Sequence, residues 1–402
     1  MKIVQINASV NTGSTGRIAE EIGRLLIKNG HESYIAYGRG NRPSASKLIK
    51  IGNNWEQELH GLQTRLFDRH GFGSRLATEK FIKEVRRFNP DIIHLHNIHG
   101  YYLNIEVLFS YLRSVNKPVV WSLHDCWPFT GHCSYFDFVR CDKWKMQCYA
   151  CPNKHGYPSS WLLDRSKNNY IRKKELFTGL RSLTFVSPSN WLARNIKESF
   201  LRDYSVQVVY HGVDIKVFKP SSSLIKKQYG LSKKRVVLGI ANVWSRNKGL
   251  DDFIRLRNRL PTEEVIVLVG LNKKQLKNLP AGVVGITRTE NAEVLADFYS
   301  AADVFVNPTY ADNFPLTNIE ALACGTPVIT YNTGGSSEAV DEETGIISEK
   351  GDIDGLCESI QSILGKGKKY YSDSCRKRAS ELYNAEDRYG EYLELYSKMS
   401  VQ

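Results

Sequence analysis

The chain has 402 residues, of which 42% are hydrophobic and 24% charged, and its formal net charge is +13. This composition excludes a disordered chain, and the length exceeds what one hydrophobic core usually organises, which indicates two large domains. The polar start of the chain and the lack of any apolar run of roughly 18 residues argue against a signal peptide and a membrane span. We therefore expect a soluble, cytoplasmic protein.

The first half alternates β-branched runs with amphipathic stretches, which is typical of βαβ units. The pattern predicts strands at residues 3–6, 33–37, 91–95, 119–123, 184–187 and 206–210, and helices at 17–29, 79–88 and 190–198. Between residues 38 and 78 the pattern is less regular and predicts no element.

A second α/β pattern restarts at residue 235, with strands predicted at 235–240, 265–269, 304–307 and 328–330, and a helix at 250–260. The stretches 352–364 and 370–400 are typical of helices with no strand between them. We therefore predict an α/β fold with a first domain at 1–212, a cysteine-rich insert at 126–160, a second domain at 213–380 and a terminal helix at 381–402 that could cross back to the first domain.

Basic residues are concentrated in the first half. Residues 1–215 carry 30 Lys or Arg against 18 Asp or Glu, whereas residues 216–402 carry 25 against 24. Such asymmetry favours an anionic partner for the first domain, for which a membrane surface or a phosphorylated substrate would serve as well as nucleic acid. A merely solubilising surface explains it equally well.

Two carboxylates flank a predicted helix start after the strand at 304–307. Asp312 precedes the helix, Pro315 can take its first position, and Glu320 lies one turn inside. Free amides at a helix start bind phosphate and carboxylates bind hydroxyls, which together is sugar-nucleotide chemistry. Taken alone, Asp312 as a helix cap and Glu320 as a surface residue would be the simpler interpretation.

The run from Asp312 to Gly335 resembles the E-x7-E element of family 4 of the glycosyltransferases and the Gly-x-Pro-Val strand entry that follows it. The resemblance implies a GT-B fold, with two facing Rossmann-like domains and a deep cleft, and metal-independent transfer with retention of configuration. In this family Glu320 would bind the donor ribose and Asp312 a sugar hydroxyl. Backbone amides for the sugar and diphosphate would come from Asn313, Phe314, Leu316 and Thr317.

Three positions depart from the family pattern. Asp312 replaces the usual Glu, Pro315 stands where Gly is common, and Val243 occupies the place of an expected Arg. Lys248 fits the family's diphosphate-binding Lys, and Arg246 could replace the missing Arg. The alternative is a solvated basic helix start.

In the first domain, the loop with Gly13 and Gly16 resembles the family's glycine loop, which faces the donor across the cleft. His124 ends a predicted strand at the place of the family histidine beside the reacting sugar. Small residues also mark any tight turn, and a lone His at a strand end is usually structural. We leave His94, His96, His99 and His211 as structural, and we interpret Asp352 of the Asp-x-Asp sequence as a helix cap.

Four cysteines crowd the insert: Cys133, Cys141, Cys148 and Cys151. Their spacing, with one C-x2-C pair, could form a structural zinc site, and free thiols packing a small core fit it equally well. A secreted disulfide framework does not fit.

The predicted function is a hexosyltransferase reaction from a nucleoside diphosphate sugar to a hydroxyl acceptor. A lipid-linked oligosaccharide of cell-surface polysaccharide synthesis, at the inner membrane face, would explain the basic first domain. His124, Lys248 and Asp312 are the predicted catalytic residues, and no cofactor is needed. The main alternative is an epimerase or phosphorylase of the same fold. A zinc-containing nucleic-acid binder lacks a recognised motif, and a dinucleotide oxidoreductase lacks Gly-x-Gly-x-x-Gly after the first strand.

Overall fold

The computed structural model describes residues 1–400, which form two compact units. Unit 1 contains Met1–Val209 and the chain from Tyr389 onward, and unit 2 contains Tyr210–Arg388. No helix within residues 1–400 is both long and apolar enough to cross a bilayer.

Unit 1 is built on seven parallel strands: β1 (Lys2–Asn7), β2 (Glu32–Tyr37), β3 (Lys47–Lys50), β4 (Ile92–Leu95), β5 (Val119–Ser122), β6 (Leu183–Ser187) and β7 (Ser205–Val208). Their order in the sheet is β3-β2-β1-β4-β5-β6-β7. Strands β4 and β5 are buried along their whole length, as expected for a parallel sheet covered on both faces.

The helices of unit 1 are α1 (Gly13–Lys28), α2 (Asn54–Phe67), α3 (Arg75–Phe88), α4 (Ile105–Val115), α5 (Ser166–Phe177) and α6 (Asn190–Glu198). Helix α2 begins with a capping box, in which the Asn53 side chain accepts from the Glu56 amide and the Glu56 side chain accepts from the Asn53 amide. The capping box and β3 both lie in the stretch where the sequence predicted no element.

Unit 2 has six parallel strands: β8 (Arg235–Ile240), β9 (Glu264–Val269), β10 (Val283–Ile286), β11 (Val304–Asn307), β12 (Val328–Tyr331) and β13 (Gly345–Ser348). Their order is β10-β9-β8-β11-β12-β13. Its helices are α7 (Ile225–Gln228), α8 (Leu250–Arg257), α9 (Lys273–Lys277), α10 (Ala292–Ala301), α11 (Leu316–Ala323), α12 (Ile353–Lys366) and α13 (Lys368–Leu382). The next helix, α14 (Ala385–Ser400), belongs to both units. Two parallel Rossmann-like sheets confirm the predicted fold class.

Helix α14 begins in unit 2 and ends in unit 1. Its Tyr396 hydroxyl lies 2.6 Å from His94 Nδ1, and its Tyr392 hydroxyl lies 3.1 Å from Ser122 Oγ. His94 Nε2 and Ser122 Oγ are themselves 2.8 Å apart, and all four side chains are buried. The last turns of α14 therefore complete the polar interior of the first sheet.

The cysteine-rich insert contains short 3-10 turns around the buried Trp144, which packs on Phe136 with ring centroids 4.6 Å apart. The four thiols named above line one small pocket together with His132, and three of them pack against the unit 1 core. Cys148 Sγ accepts the Gly131 amide at 3.2 Å, and burial raises the pKa of Cys148 to about 12. Across residues 1–400 no three or more His, Cys, Asp or Glu side chains are grouped to hold a metal ion. The zinc expectation thus finds no support in the arrangement of the thiols, which fits a packed thiol core.

Candidate functional site

The order of strands in unit 2 reverses between β8 and β11. In such sheets ligands bind outside the carboxyl ends of the strands at this reversal. The loop after β8 carries Arg246 and Lys248, and the loop after β11 carries Asp312. The topology therefore brings these predicted residues to one edge of one sheet.

The β8 loop is fixed at both ends. The Trp244 indole donates to the Val269 carbonyl at 2.8 Å, and the Asn247 carbonyl accepts the Tyr310 amide at 2.8 Å. Gly249 follows with a φ of 72°, and a Cβ there would clash with the Pro308 carbonyl oxygen. Only glycine permits this close approach, which holds the β8 loop against the β11 loop.

Lys248 and Asp312 meet directly as a result. Lys248 Nζ lies 2.5 Å from Asp312 Oδ2, and the lysine side chain stays about one-third exposed. The carboxylate thus fixes the ammonium while leaving part of it accessible. Asp312 is not a helix cap, because Pro315 takes that position in α11. Arg246 lies on the same 3-10 turn as Lys248 and is exposed, and Val243 before this turn is exposed as well.

Helix α11 begins at Leu316, one residue later than a helix with Pro315 in its first position would begin. Pro315 is the N-cap, with a ψ of 123°, and the first intrahelical bond runs from the Asn318 amide to the Pro315 carbonyl at 3.2 Å. The amides of Leu316 and Thr317 belong to the first turn, where the positive end of the helix dipole lies. Asn318 is buried and donates to the Ser336 carbonyl at 3.1 Å, which ties the helix to the loop after β12.

Asn313 and Phe314 are both buried immediately before this turn. The Phe314 ring packs against Tyr210 at 5.1 Å and Tyr383 at 5.6 Å between centroids. Its side chain therefore anchors the loop, and only its backbone is left for a ligand. The Asp312 carbonyl accepts the Gly335 amide at 3.2 Å, and a Cβ on Gly334 would clash with the same oxygen.

Glu320 is buried in the second turn of α11, so the interpretation of Glu320 as a surface residue is wrong. Its Oε2 accepts the Tyr299 hydroxyl at 2.9 Å. This hydrogen bond orients the carboxylate, and sequence reasoning had not identified Tyr299. Tyr299 lies between the predicted strands at 265–269 and 304–307, where the sequence predicted no element, so nothing indicated a polar partner inside the core.

In unit 1, two glycines shape the turn from β1 into α1 for different reasons. Gly13 has a φ of 68°, and a Cβ there would meet no atom within 4 Å, so it is the backbone conformation that requires glycine. At Gly16 a Cβ would lie 3.0 Å from Ser9 Oγ and 3.2 Å from the Asn11 amide. The tight packing of this turn brings the first amides of α1 to the carboxyl edge of the sheet.

His124 is half-buried after β5 at the same edge of unit 1. Its Nε2 lies 3.1 Å from His96 Nδ1, and His96 Nε2 lies 3.0 Å from Gln5 Oε1. The two rings are nearly parallel, with centroids 5.4 Å apart. His96 therefore orients His124, although the sequence assigned His96 a structural role without naming what it supports.

The other histidines have structural surroundings. Burial lowers the pKa of His94 well below its ordinary value and that of His211 to about 4. His99 Nε2 lies 2.9 Å from Asp125 Oδ2. Burial favours the protonated acid of Asp125, but the neighbouring His99 and amide donors outweigh burial and hold its pKa below the ordinary value.

Asp352 caps α12, accepting the Gly355 amide at 2.9 Å, and Asp354 Oδ1 pairs with Arg259 Nε at 2.5 Å. The interpretation of this Asp-x-Asp sequence as a cap is confirmed. Its carboxylates have structural partners.

Two family models match the chain. Residues 15–217 match "Glycosyltransferase Family 4", and residues 234–366 match "Glycosyl transferases group 1". The matched ranges include His124, Lys248, Asp312 and Glu320, whereas β1 and Gly13 precede the first of them.

Similar proteins match either almost the whole chain or part of it. A glycosyl transferase of Escherichia coli K12 named for colanic acid biosynthesis, WcaC, is 25% identical over 99% of this chain and 100% of its own. A D-inositol 3-phosphate glycosyltransferase of Mycobacteroides abscessus is 30% identical over 40% of this chain and 39% of its own.

Solved structures share the fold. Sucrose-phosphate synthase of Thermosynechococcus elongatus aligns with a TM-score of 0.74 and 19% identity over 99% of this chain and 98% of its own. Anabaena HepE in complex with UDP and glucose aligns with a TM-score of 0.70 and 16% identity over 99% of both chains.

The architecture is thus the GT-B fold, as predicted. With one family model spanning half the chain and the other spanning most of unit 2, the chain belongs to glycosyltransferase family 4 and is a glycosyltransferase of the hexosyl-transferring class.

Proposed function

We propose that this glycosyltransferase takes its sugar from a nucleoside diphosphate donor bound at the edge of unit 2. The observation that carries the proposal is the Lys248–Asp312 pair beside the first turn of α11. A cation and helix-end amides together match a diphosphate, and a buried carboxylate one turn further along matches a pair of ribose hydroxyls.

The residues present fit such a donor in further respects. Glu320 is held in one orientation by Tyr299. Thr333, in the loop that contacts Asp312, is buried and its hydroxyl has no hydrogen-bond partner within the described chain. A buried hydroxyl without a partner is costly, and a ligand oxygen would satisfy it. HepE, which shares the fold, binds UDP together with glucose in its solved structure.

In the proposed reaction the bond between the sugar and the diphosphate breaks while the acceptor hydroxyl oxygen attacks on the same face, so configuration is retained. The hydroxyl proton passes to the departing diphosphate oxygen. Lys248 stabilises the negative charge that develops on the departing diphosphate, with the amides of Leu316 and Thr317 and the exposed Arg246 as further donors. Asp312 orients Lys248 and accepts a hydrogen bond from a sugar hydroxyl. These groups supply the charge stabilisation without a metal ion.

In unit 1, the roles of His124 and of the turn at Gly13 and Gly16 stay predictions of the family resemblance. We assign His124 the role of positioning the sugar by hydrogen bonding, because its Nε2 already faces His96 and the pair is held through Gln5. The ring is partly exposed at the carboxyl edge of the sheet, where ligands bind in folds of this kind.

The acceptor in this proposal is a lipid-linked oligosaccharide of cell-surface polysaccharide synthesis. The E. coli relative is named for biosynthesis of colanic acid. The excess of basic residues in the first half of the chain supports an acceptor with a diphosphate and a peripheral position on an anionic membrane.

A thermal-shift screen with nucleoside diphosphates and their sugars tests the donor. A nucleotide present at about 100 times its dissociation constant should stabilise the folded state by about 2.7 kcal/mol. Lys248→Met and Glu320→Gln should reduce the shift, and the exposed Lys277→Met should leave it unchanged. The absence of any nucleotide-dependent shift would contradict the proposal.

A second measurement separates transfer from the other chemistries of the same fold. Release of nucleoside diphosphate should depend on an added acceptor lipid. Epimerisation of the donor without release, or cleavage of the acceptor by inorganic phosphate, would favour the epimerase or phosphorylase alternatives instead.

A further inference from the structure

Helix α2 of unit 1 presents its apolar side chains to solvent. Trp55, Leu59 and Leu62 are 82%, 57% and 46% exposed. Their spacing of four and three residues places them on one stripe of the helix. Single exposed apolar residues are ordinary, but a continuous stripe of large ones is typical of an interaction surface.

The opposite face of α2 is buried and polar or small, with His60, Gly61 and Thr64 facing the protein. His60 Nε2 accepts the amides of Gly71 and Gly73, each at 3.2 Å. The usual arrangement of a surface helix, apolar inside and polar outside, is reversed. These inward hydrogen bonds fix the apolar stripe in its outward position.

A second exposed apolar segment is attached to the same helix. Trp161, Leu162 and Leu163 are 56%, 64% and 41% exposed. The Trp161 amide donates to the Arg65 carbonyl at 2.6 Å, and the Leu163 amide donates to the Leu66 carbonyl at 3.3 Å. The second segment is thus joined to the C-terminal end of α2. The exposed apolar residues of the two segments are here named the apolar platform: Trp55, Leu59, Leu62, Trp161, Leu162 and Leu163.

Basic side chains lie at the platform. The Arg65 guanidinium lies over the Trp161 ring, 5.7 Å from its centroid, and Lys154 Nζ donates to the Leu162 carbonyl at 3.4 Å. Three acidic residues are also near in sequence: Glu56 and Glu58 on α2, and Asp164 beyond Leu163. The Glu56 carboxylate accepts the Asn53 amide at 3.0 Å. The Asp164 carboxylate accepts the amides of Cys151 at 2.6 Å and Ser166 at 2.9 Å, so its charge is already engaged.

We propose that the apolar platform inserts into the interfacial layer of an anionic lipid bilayer. Tryptophan and leucine with adjacent Arg and Lys are the composition that such interfaces favour. Charge complementarity selects this occupant over a second copy of the chain, because two copies would each bring a net charge of +13. The inference rests on the proposed function in one respect, because a lipid-linked acceptor would bring the enzyme to a membrane.

Vesicle flotation tests the proposal without measuring activity. The probes are vesicles of phosphatidylglycerol mixed with phosphatidylcholine, and vesicles of phosphatidylcholine alone. Two platform variants, W55S/L59S/L62S and W161S/L162S, should each lower the partition coefficient on anionic vesicles by about tenfold or more. The matched controls are Leu224→Ser and Tyr370→Ser, which alter residues of unit 2 with 73% and 65% exposure and should leave binding within about twofold.

Wild-type protein should bind the anionic vesicles more tightly than the neutral ones, and added salt should weaken binding. Equal binding of the wild type and the platform variants, or equal binding to both kinds of vesicle, would overturn the proposal. So would concentration-dependent dimerisation that the platform variants abolish, since a second copy would then be the occupant. Nucleotide-dependent thermal shifts of the same variants should equal those of the wild type, so a failed donor hypothesis is distinguishable from a failed membrane surface.

Discussion

Lys248 and Asp312 depend on each other at the level of single atoms. Their contact is a charge-assisted hydrogen bond of 2.5 Å, and both residues sit on loops that are fixed by backbone bonds. Replacing the cation therefore removes positive charge from the proposed diphosphate site without rebuilding the loop.

We expect Lys248→Met to lower kcat for sugar transfer by about 100-fold or more, since removal of one well-placed donor to a developing charge has effects of this size. Steady-state transfer with saturating acceptor gives the measurement. Lys277→Met, an exposed lysine of α9 in the same unit, is the control. A kcat for K248M within about threefold of wild type would exclude the lysine from the reaction.

Glu320→Gln should weaken binding of the nucleoside diphosphate by about 10- to 100-fold, because hydrogen bonds to a charged acceptor contribute free energies of this size. Isothermal titration measures the affinity directly. Tyr299→Phe removes the orienting hydroxyl while keeping the carboxylate, and its effect should be smaller. Loss of affinity in Y299F equal to that in E320Q would mean that Glu320 serves Tyr299 rather than a ligand.

At the scale of elements, the close contact between the β8 and β11 loops depends on Gly249. The chain offers a matched pair, because Gly249 and Gly230 have φ values of 72° and 68°, but only Gly249 has a neighbour within reach of a Cβ.

Gly230→Ala should cost about 1 kcal/mol of unfolding free energy, the strain of a left-handed backbone. Gly249→Ala adds the clash with the Pro308 carbonyl and should cost about 3 kcal/mol or more, with loss of donor-induced stabilisation as Lys248 shifts. Urea unfolding curves of both variants provide the comparison. Equal costs at the two positions would show that the Pro308 contact yields easily.

The restart of the pattern at Arg235 and the strands that end at Asn307 and Val269 were predictable, because buried parallel strands are written as continuous β-branched runs. Helix α2 and β3 were not. The large apolar residues of α2 face solvent, whereas an apolar stripe in a sequence is normally interpreted as the face toward the core. Strand β3 is short, lies at the sheet edge and has mostly exposed residues.

Some residues of the candidate site were likewise predictable from the sequence and others were not. Lys248, Asp312 and Glu320 were named from the resemblance to family 4, whose motif residues stand in short stretches of the sequence. Tyr299 and His96 were not recognised as partners, since a hydrogen bond across elements has no signature in local spacing. The start of α11 was uncertain by one residue because Pro315 suits either the cap or the first helical position.

His60 makes the seating of α2 sensitive to acid. Burial lowers the pKa of His60 to about 4, and its Nε2 must stay unprotonated to accept two amides, while Nδ1 lies 2.9 Å from Ser74 Oγ. The folded-state pKa lies below the ordinary value of about 6.5, so the unfolded chain takes up the proton first as pH falls. The contribution of His60 to the free energy of unfolding is therefore complete above about pH 6.5 and is lost as the pH falls toward 4.

Between pH 7 and pH 5 the wild type should therefore lose about 2 kcal/mol more unfolding free energy than His60→Gln, whose side chain accepts hydrogen bonds but does not titrate. Chemical denaturation at the two pH values measures the difference. Parallel losses in the two proteins would show that His60 is accessible to protons in the folded state.

At the scale of the whole molecule, the chain enters unit 1 twice. Unit 2 ends at Arg388, and the following turns of α14 bury Tyr392 and Tyr396 beside Ser122 and His94. The stability of unit 1 therefore depends on residues that lie far from it in the sequence.

Tyr396→Phe should lower the unfolding free energy of unit 1 by about 1–3 kcal/mol, because it leaves a buried imidazole nitrogen without its partner. The exposed Tyr370→Phe is the control and should change little. Hydrogen exchange of β4 and β5 amides reports on unit 1 alone. Unchanged exchange in Y396F would mean that the Tyr396 hydroxyl contributes no stability to unit 1.

The late arrival of α14 bears on how the protein is made. All seven strands of unit 1 leave the ribosome before unit 2 does, yet the helix that covers His94 and Ser122 is translated only after unit 2. Domains generally fold during synthesis as they emerge, and here unit 2 can complete its fold while unit 1 still lacks a wall. The nascent protein thus spends the time needed to translate unit 2 with an open polar interior in the first sheet, and the emergence of α14 is the event that closes it.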